Sequence, residues 1–116
     1  MTSDSPAPTA PATVEAGGLT LRLTHAPAQH RFLAETLDAS GAPADRIGFA
    51  SYHDAGGERI FDHTVTHPQH EGRGVAAALV RYALDETVAE GKRIVPVCSY
   101  VVDFVRTRHD WDSHLA

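Results

Sequence analysis

Apolar and polar positions follow two periods along this chain, a period of two before Thr66 and a helical period after Gly74. Leu19-Thr-Leu-Arg-Leu23 alternates and predicts a short strand. His30–Leu37 (HRFLAETL) fits a strand or a short helix, because periodicity does not separate the two over so short a run. Ala39–Arg46 holds Ser40-Gly41-Ala42-Pro43, a turn signal. Ile47–His53 alternates apolar and small residues, and Asp54–Glu58, with its Gly pair, closes a turn. Arg59–Thr66 is rich in β-branched and aromatic residues, which suits a strand. Together these pieces predict an antiparallel meander.

The second half changes character. Pro68–Gly74 reads as a loop. Val75–Glu90 then places Ala76, Leu79, Val80, Ala83, Leu84 and Val88 at the spacing of one helical face. Gly91 is positioned to end that helix in a left-handed cap. Arg93–Cys98 is nearly continuously apolar, as in a strand covered on both faces. Strand, loop, helix and strand make a βαβ unit. Ser99–Arg108 is expected to form a second helix with Ser99 as N-cap and Asp103 in its early turns. Met1–Gly18 is mostly Ala, Pro, Thr and Ser without aromatics or periodicity, so it is expected to be a disordered tail before a single domain at 19–116.

Composition narrows the class. A chain of 116 residues fits one domain, and its formal net charge of -5 argues against a non-specific nucleic-acid binder. Lys92, Arg93, Arg106 and Arg108 are expected to be a solvated basic face. No run approaches the roughly 18 consecutive apolar residues of a membrane span, and the N-terminus lacks the basic start and apolar centre of a secretory signal. The single cysteine excludes an intramolecular disulfide and fits a cytoplasmic setting.

The chemistry is concentrated in Thr66–Ala76 (THPQHEGRGVA). Glycines directly before a helix let the backbone approach a ligand, and the first helical amides, free of partners and at the positive end of the dipole, suit phosphate oxygens. A nucleotide-binding loop would end in Gly-Lys-Ser/Thr, whereas Gly74 is followed by Val75-Ala76. The spaced glycines and distant acidic residue of a dinucleotide fingerprint are absent as well. A tight turn with a cap is the plain alternative for a glycine pair. Strand, proline and Glu71-Gly72-Arg73-Gly74-Val75-Ala76 opening an Ala-rich helix resembles the pyrophosphate-binding segment of the GCN5-related N-acetyltransferases, whose pattern is Gln/Arg-x-x-Gly-x-Gly/Ala. Gln69-x-x-Gly72-x-Gly74 matches it literally. Spacing from Pro68 favours Glu71-x-x-Gly74-x-Ala76, in which Glu71 departs from the pattern. His63-Thr64 and Val97-Cys98-Ser99-Tyr100-Val101 extend the resemblance, over about Gln29–Trp111, to the minimal small N-acetyltransferase-domain proteins.

This resemblance implies an α/β fold: an antiparallel meander, one βαβ unit with splayed parallel strands, and a C-terminal helix. Coenzyme A would lie in the notch between Arg59–Thr66 and Arg93–Cys98, and acetyl would pass from acetyl-CoA to an amine of a protein, peptide or small molecule. Backbone groups of Thr64, Val65 and Thr66 would hold the pantetheine, and Glu71, Gly72, Arg73, Gly74, Val75 and Ala76 the pyrophosphate. A non-catalytic acyl-CoA-binding or interaction module is the alternative expectation.

Cys98 is expected at a strand end just before a helix, where ligands bind in open α/β sheets and a thiol pKa is lowered. The subgroup carries a cysteine there, which implies an acetyl-accepting nucleophile; a free cysteine that merely packs is the other expectation. His63, carried over likewise, would take a proton from Cys98 or from the incoming amine, or be a half-exposed strand histidine. His63 and His67 are four residues apart, about 13 Å on a strand, so no metal site is expected. His67, His70, Asp103 and Arg106 are expected at the surface, and Trp111 against the C-terminus.

Overall fold

In the computed structural model, which describes residues 11–116, six strands form one sheet in chain order. They are β1 (Ala12–Ala16), β2 (Leu19–Ala26), β3 (Arg31–Leu37), β4 (Pro43–Ala55), β5 (Glu58–Thr66) and β6 (Arg93–Pro96). Strands β1 to β5 pair antiparallel in succession. After helix α1 (Val75–Ala89), β6 pairs parallel with β5, and helix α2 (Ser99–Arg108) follows. This is a mixed α/β fold with the expected order of meander, βαβ unit and C-terminal helix. The ambiguous His30–Leu37 segment resolves as strand β3.

The expected tail needs correcting. Residues 1–10 lie outside the described residues, but Ala12–Ala16 is an edge strand paired with β2 in the register Ala12↔Leu23 to Ala16↔Leu19. Ala12, Val14 and Ala16 alternate and pack against the core, and Gly17 and Gly18 take φ of 55° and 81°. Positive φ at both centres is what a two-residue hairpin turn requires, and glycine supplies it without steric cost. A Cβ at Gly17 would also stand 2.5 Å from the Arg73 carbonyl oxygen, so this turn packs on the loop before α1.

The core forms on one face of the sheet. Leu21, Leu23, Phe32, Ala34, Ala50, Tyr52 and Phe61 meet Val75, Leu79, Val80, Ala83 and Leu84 of α1. Both helices lie on that face: Trp111, just past α2, donates its indole N–H to Asp85 of α1 at 2.9 Å, and its ring packs on Phe104. Helix α1 ends as expected. Gly91 has φ of 77°, its N–H bonds the Val88 carbonyl, and the Lys92 N–H bonds that of Thr87, a Schellman closure. In α2, Cys98 rather than Ser99 occupies the N-cap position.

One polar cluster enters this interior unannounced. Arg59 is 2% exposed and donates bidentate pairs to Asp54, at 2.8 and 3.0 Å, and to Glu90, at 2.9 and 3.1 Å. Its guanidinium lies 4.1 Å from the Tyr52 ring centroid. The cluster ties the β4–β5 hairpin to the end of α1. Among the described residues no helix is long and apolar enough to cross a membrane.

Candidate active site

Pairing between β5 and β6 ends at Phe61↔Pro96. The amides of Val97 and Cys98 both donate to the Phe61 carbonyl, and beyond it β5 runs on to Thr66 with β4 on one side and no strand on the other. A strand edge inside a fold leaves backbone donors and acceptors in need of partners. Here that edge borders a cavity of about 410 Å³ lined by Thr64, Thr66, His70, Glu71, Gly72, Gly74, Val75, Ala76, Ala77 and Tyr100.

The floor of the cavity is the start of α1. Gly74 is its N-cap with φ of 80°, Gly72 has φ of 81°, and no side chain caps the helix. The first turn carries no acidic residue. The leading amides are therefore free to receive an anion, with the helix dipole in support. His70 adds a second unsatisfied group, since its Nδ1 is buried without a hydrogen-bond partner. That corrects the expectation of a plain surface histidine. Glu71 is the one carboxylate in the wall and opposes an anion. Arg73 is not in the lining; its backbone instead supports the Gly17 turn.

Cys98 stands at the mouth of the gap, half-buried, with Sγ 3.6 Å from Oγ1 of Thr64. Burial pushes the thiol pKa up. The Thr64 hydroxyl and the amides of Val101, Tyr100 and Thr64 more than offset this, and the thiol lies below its ordinary value. The Val101 and Tyr100 amides belong to the first turn of α2, where no side chain forms a capping hydrogen bond.

His63 does not join them. Tyr52 pairs with Phe61 and Ser51 with His63, so Asp62 is an extra residue, a β-bulge. Strict alternation from Phe61 would turn His63 to the helix side. The bulge turns Thr64 there instead, opposite fully buried Ala50, and leaves His63 exposed on the far face. His63 is therefore not beside Cys98. Val65 also faces away from the cavity, 44% exposed, so only its backbone can serve a ligand there. Among the described residues no three His, Cys, Asp or Glu side chains are grouped to hold a metal.

The described residues carry three exposed large apolar side chains, Val65, Val97 and Tyr100, at 44%, 58% and 36%. They stand at the end of β5, just past β6 and in the first turn of α2, the three elements that border the gap. Sequence alone gives Tyr100 no role of its own and places His70 at the surface. Tyr100 lies two residues past Cys98, and its place at the start of α2 was the signal available for it.

No curated protein matches the chain. Residues 38–115 match a family described as GCN5-related N-acetyl-transferase, a span running from the end of β3 to the C-terminus and containing the gap, the cavity and Cys98. The chain belongs to the GCN5-related N-acetyltransferase family.

Proposed function

We propose that this chain is an acetyl-CoA-dependent N-acetyltransferase that binds the pyrophosphate of coenzyme A at the start of α1 and its pantetheine along the free edge of β5. Family membership supports acyl transfer from acetyl-CoA in general. The observation that carries the finer reading is the 410 Å³ cavity, which joins the uncapped helix start to Thr64, beside Cys98.

The groups present fit the ligand. Free amides of Val75, Ala76 and Ala77 would receive phosphate oxygens, with the positive φ of Gly72 and Gly74 shaping the approach. Backbone groups of Thr64, Val65 and Thr66 would pair with the amides of the pantetheine arm as a further strand would, along the edge of β5 past its last pair with β6, Phe61↔Pro96. When bound, acetyl-CoA supplies an activated thioester. A β5 amide pointing into the gap would polarise its carbonyl. Val97 and Tyr100 would cover the arm and exclude water. Cys98, with its lowered thiol pKa, would serve as an intermediate acetyl acceptor.

A second reading, a module that binds acyl-CoA without efficient transfer, is favoured by the displacement of His63, which leaves Cys98 without an imidazole alongside. Calorimetric titration with coenzyme A tests the binding site common to both. Mass spectrometry of intact protein after acetyl-CoA incubation separates them: one acetyl group on the wild type, absent in Cys98→Ala with coenzyme A binding retained, supports the relay. Transfer to an amine by Cys98→Ala at the wild-type rate removes Cys98 from the mechanism and leaves direct attack by the amine.

A further inference from the structure

The helix-free face of the sheet carries a second cavity of about 280 Å³, lined among others by Arg31, Arg46, Phe49, Val65, Thr66 and His67. Thr66 borders both this cavity and the one at the start of α1. Alternation along β5 sends Thr64 toward the helices and Val65 to this face, so the two cavities lie back to back across the end of one strand. The side of β5 away from β4 has no strand partner past Phe61.

The charge of this face runs against that of the chain. The net charge is -5, yet two guanidiniums border the cavity. Among the described residues, arginine ion pairs belong to Arg59, Arg81 and Arg106, which leaves Arg31 and Arg46 without a carboxylate partner. The Arg31 guanidinium sits over the Phe49 ring, 4.1 Å from its centroid, which helps to hold it at the cavity. Glu35 pairs with Arg46 in the strand register without an ion pair, and Asp62 is occupied by His53 at 3.0 Å. The floor between the arginines and β5 is apolar, formed by Phe49 and Val65.

We propose that this face binds the acetyl acceptor, and that the acceptor is a small aliphatic amine carrying a carboxylate. The assignment rests on the cofactor placement given above. Arg31 stands two strand spacings from β5, about 10 Å, which suits an amine and a carboxylate separated by a short alkyl chain. The carboxylate pairs with Arg31 and Arg46, the alkyl chain crosses Phe49 and Val65, and the amine enters the gap. There the nitrogen forms a bond to the acetyl carbon, the carbon–sulfur bond breaks, and the proton given up by nitrogen leaves with the thiol. A diamine is repelled by the same two arginines.

The test compares ε-aminocaproate, hexylamine and cadaverine as acceptors, with released thiol as the rate signal. Amide NMR shifts on titrating each amine, without acetyl-CoA, give binding independently of turnover. The carboxylate-bearing amine should be preferred over hexylamine by about tenfold or more in kcat/KM. Arg31→Gln and Arg46→Gln should each remove most of that preference through KM, leaving coenzyme A affinity unchanged. Shifts at Phe49, Val65 and Thr66 induced by ε-aminocaproate and lost in Arg46→Gln uphold the docking face even if no amine is acetylated. Equal use of the three amines, or preference for cadaverine, overturns the proposal. So does acetylation of a peptide lysine alone, with ε-aminocaproate neither bound nor used. Loss of coenzyme A binding at the start of α1, by contrast, sinks the cofactor placement and leaves the NMR result standing.

Discussion

Replacing Ala76 by glutamate sets two consequences of one helix end against each other. Ala76 is in the first turn of α1, half-buried in the cavity wall, in a turn with neither an acidic residue nor a side-chain cap. A carboxylate there meets the positive end of the helix dipole and should stabilise the fold by about 0.3–1 kcal/mol. It should also repel a pyrophosphate bound to the same amides. Two unit charges about 6 Å apart at an effective dielectric constant of about 20 repel by about 2.8 kcal/mol, and physiological salt, with a Debye length of about 8 Å, roughly halves this. About 1.3 kcal/mol remains per phosphate charge, or about a tenfold loss of affinity. Ala76→Glu should therefore melt no lower than the wild type while binding coenzyme A at least about tenfold more weakly, a pairing that general damage to the fold cannot produce. Glu71→Gln, which removes the carboxylate already in the wall, should tighten binding. Calorimetry with coenzyme A and a thermal melt read both effects. Unchanged affinity in a folded Ala76→Glu protein would falsify the phosphate placement.

Four further outcomes follow from the geometry. Arg59→Ala leaves Asp54 and Glu90 without their shared partner and should cost about 3–5 kcal/mol in a denaturant melt; a loss below about 1 kcal/mol would mean that the cluster is solvated. His25 stacks 4.1 Å from Phe32, bonds the Tyr52 hydroxyl at 2.5 Å and faces Glu90, Arg59 and Asp54. Burial is the largest influence on it and lowers its pKa below 6.5, so the unfolded chain takes up the proton first; stability should fall as pH drops below about 6.5, and His25→Gln should flatten that slope. Deleting Met1–Gly18 removes β1 and its Val14 contact and should lower the melting temperature by roughly 10 °C, whereas an unchanged melt would show that the strand adds nothing. Thr64→Val removes the hydroxyl facing Cys98 and should raise the pH at which iodoacetamide alkylates the thiol at half-maximal rate; an unmoved profile would leave the α2 amides as the main influence.

Several elements are legible in the chain because local chemistry and packing agree there. The buried positions Leu79, Val80, Ala83 and Leu84 recur on one helical face, and Gly91 takes the left-handed conformation its place before Lys92-Arg93 suggests. The β1 hairpin is also written in the sequence, as alternation on either side of Gly17-Gly18. Its Ala- and Pro-rich surroundings mask it, because composition averaged over residues 1–18 hides a period of two that spans only five of them. Arg59 could not be read at all. Its value to the fold depends on Asp54 and Glu90, and Glu90 lies 31 residues away at the end of α1. No local pattern announces a pairing that only the closed βαβ unit creates.

His63 shows where this legibility stops within the site itself. Residue type and neighbours mark the segment His63–Thr66 as chemical, but the side that each residue presents depends on the count of residues between Phe61 and Thr64. A strand read by strict alternation places His63 with Phe61 on the helix side. The single extra residue at Asp62 reverses every position after it. A bulge is a property of two strands, since it exists only when Ser51 and Tyr52 of β4 face three residues of β5. The reversal explains the division of the site. It brings the Thr64 hydroxyl to Cys98 and Thr66 to the wall of the helix-side cavity, and it turns Val65 and His63 to the face where Arg31 and Arg46 stand unpaired. If the amine docks on the helix-free face as proposed, His63 is on the side of the sheet from which it arrives, and on the wrong side to serve Cys98.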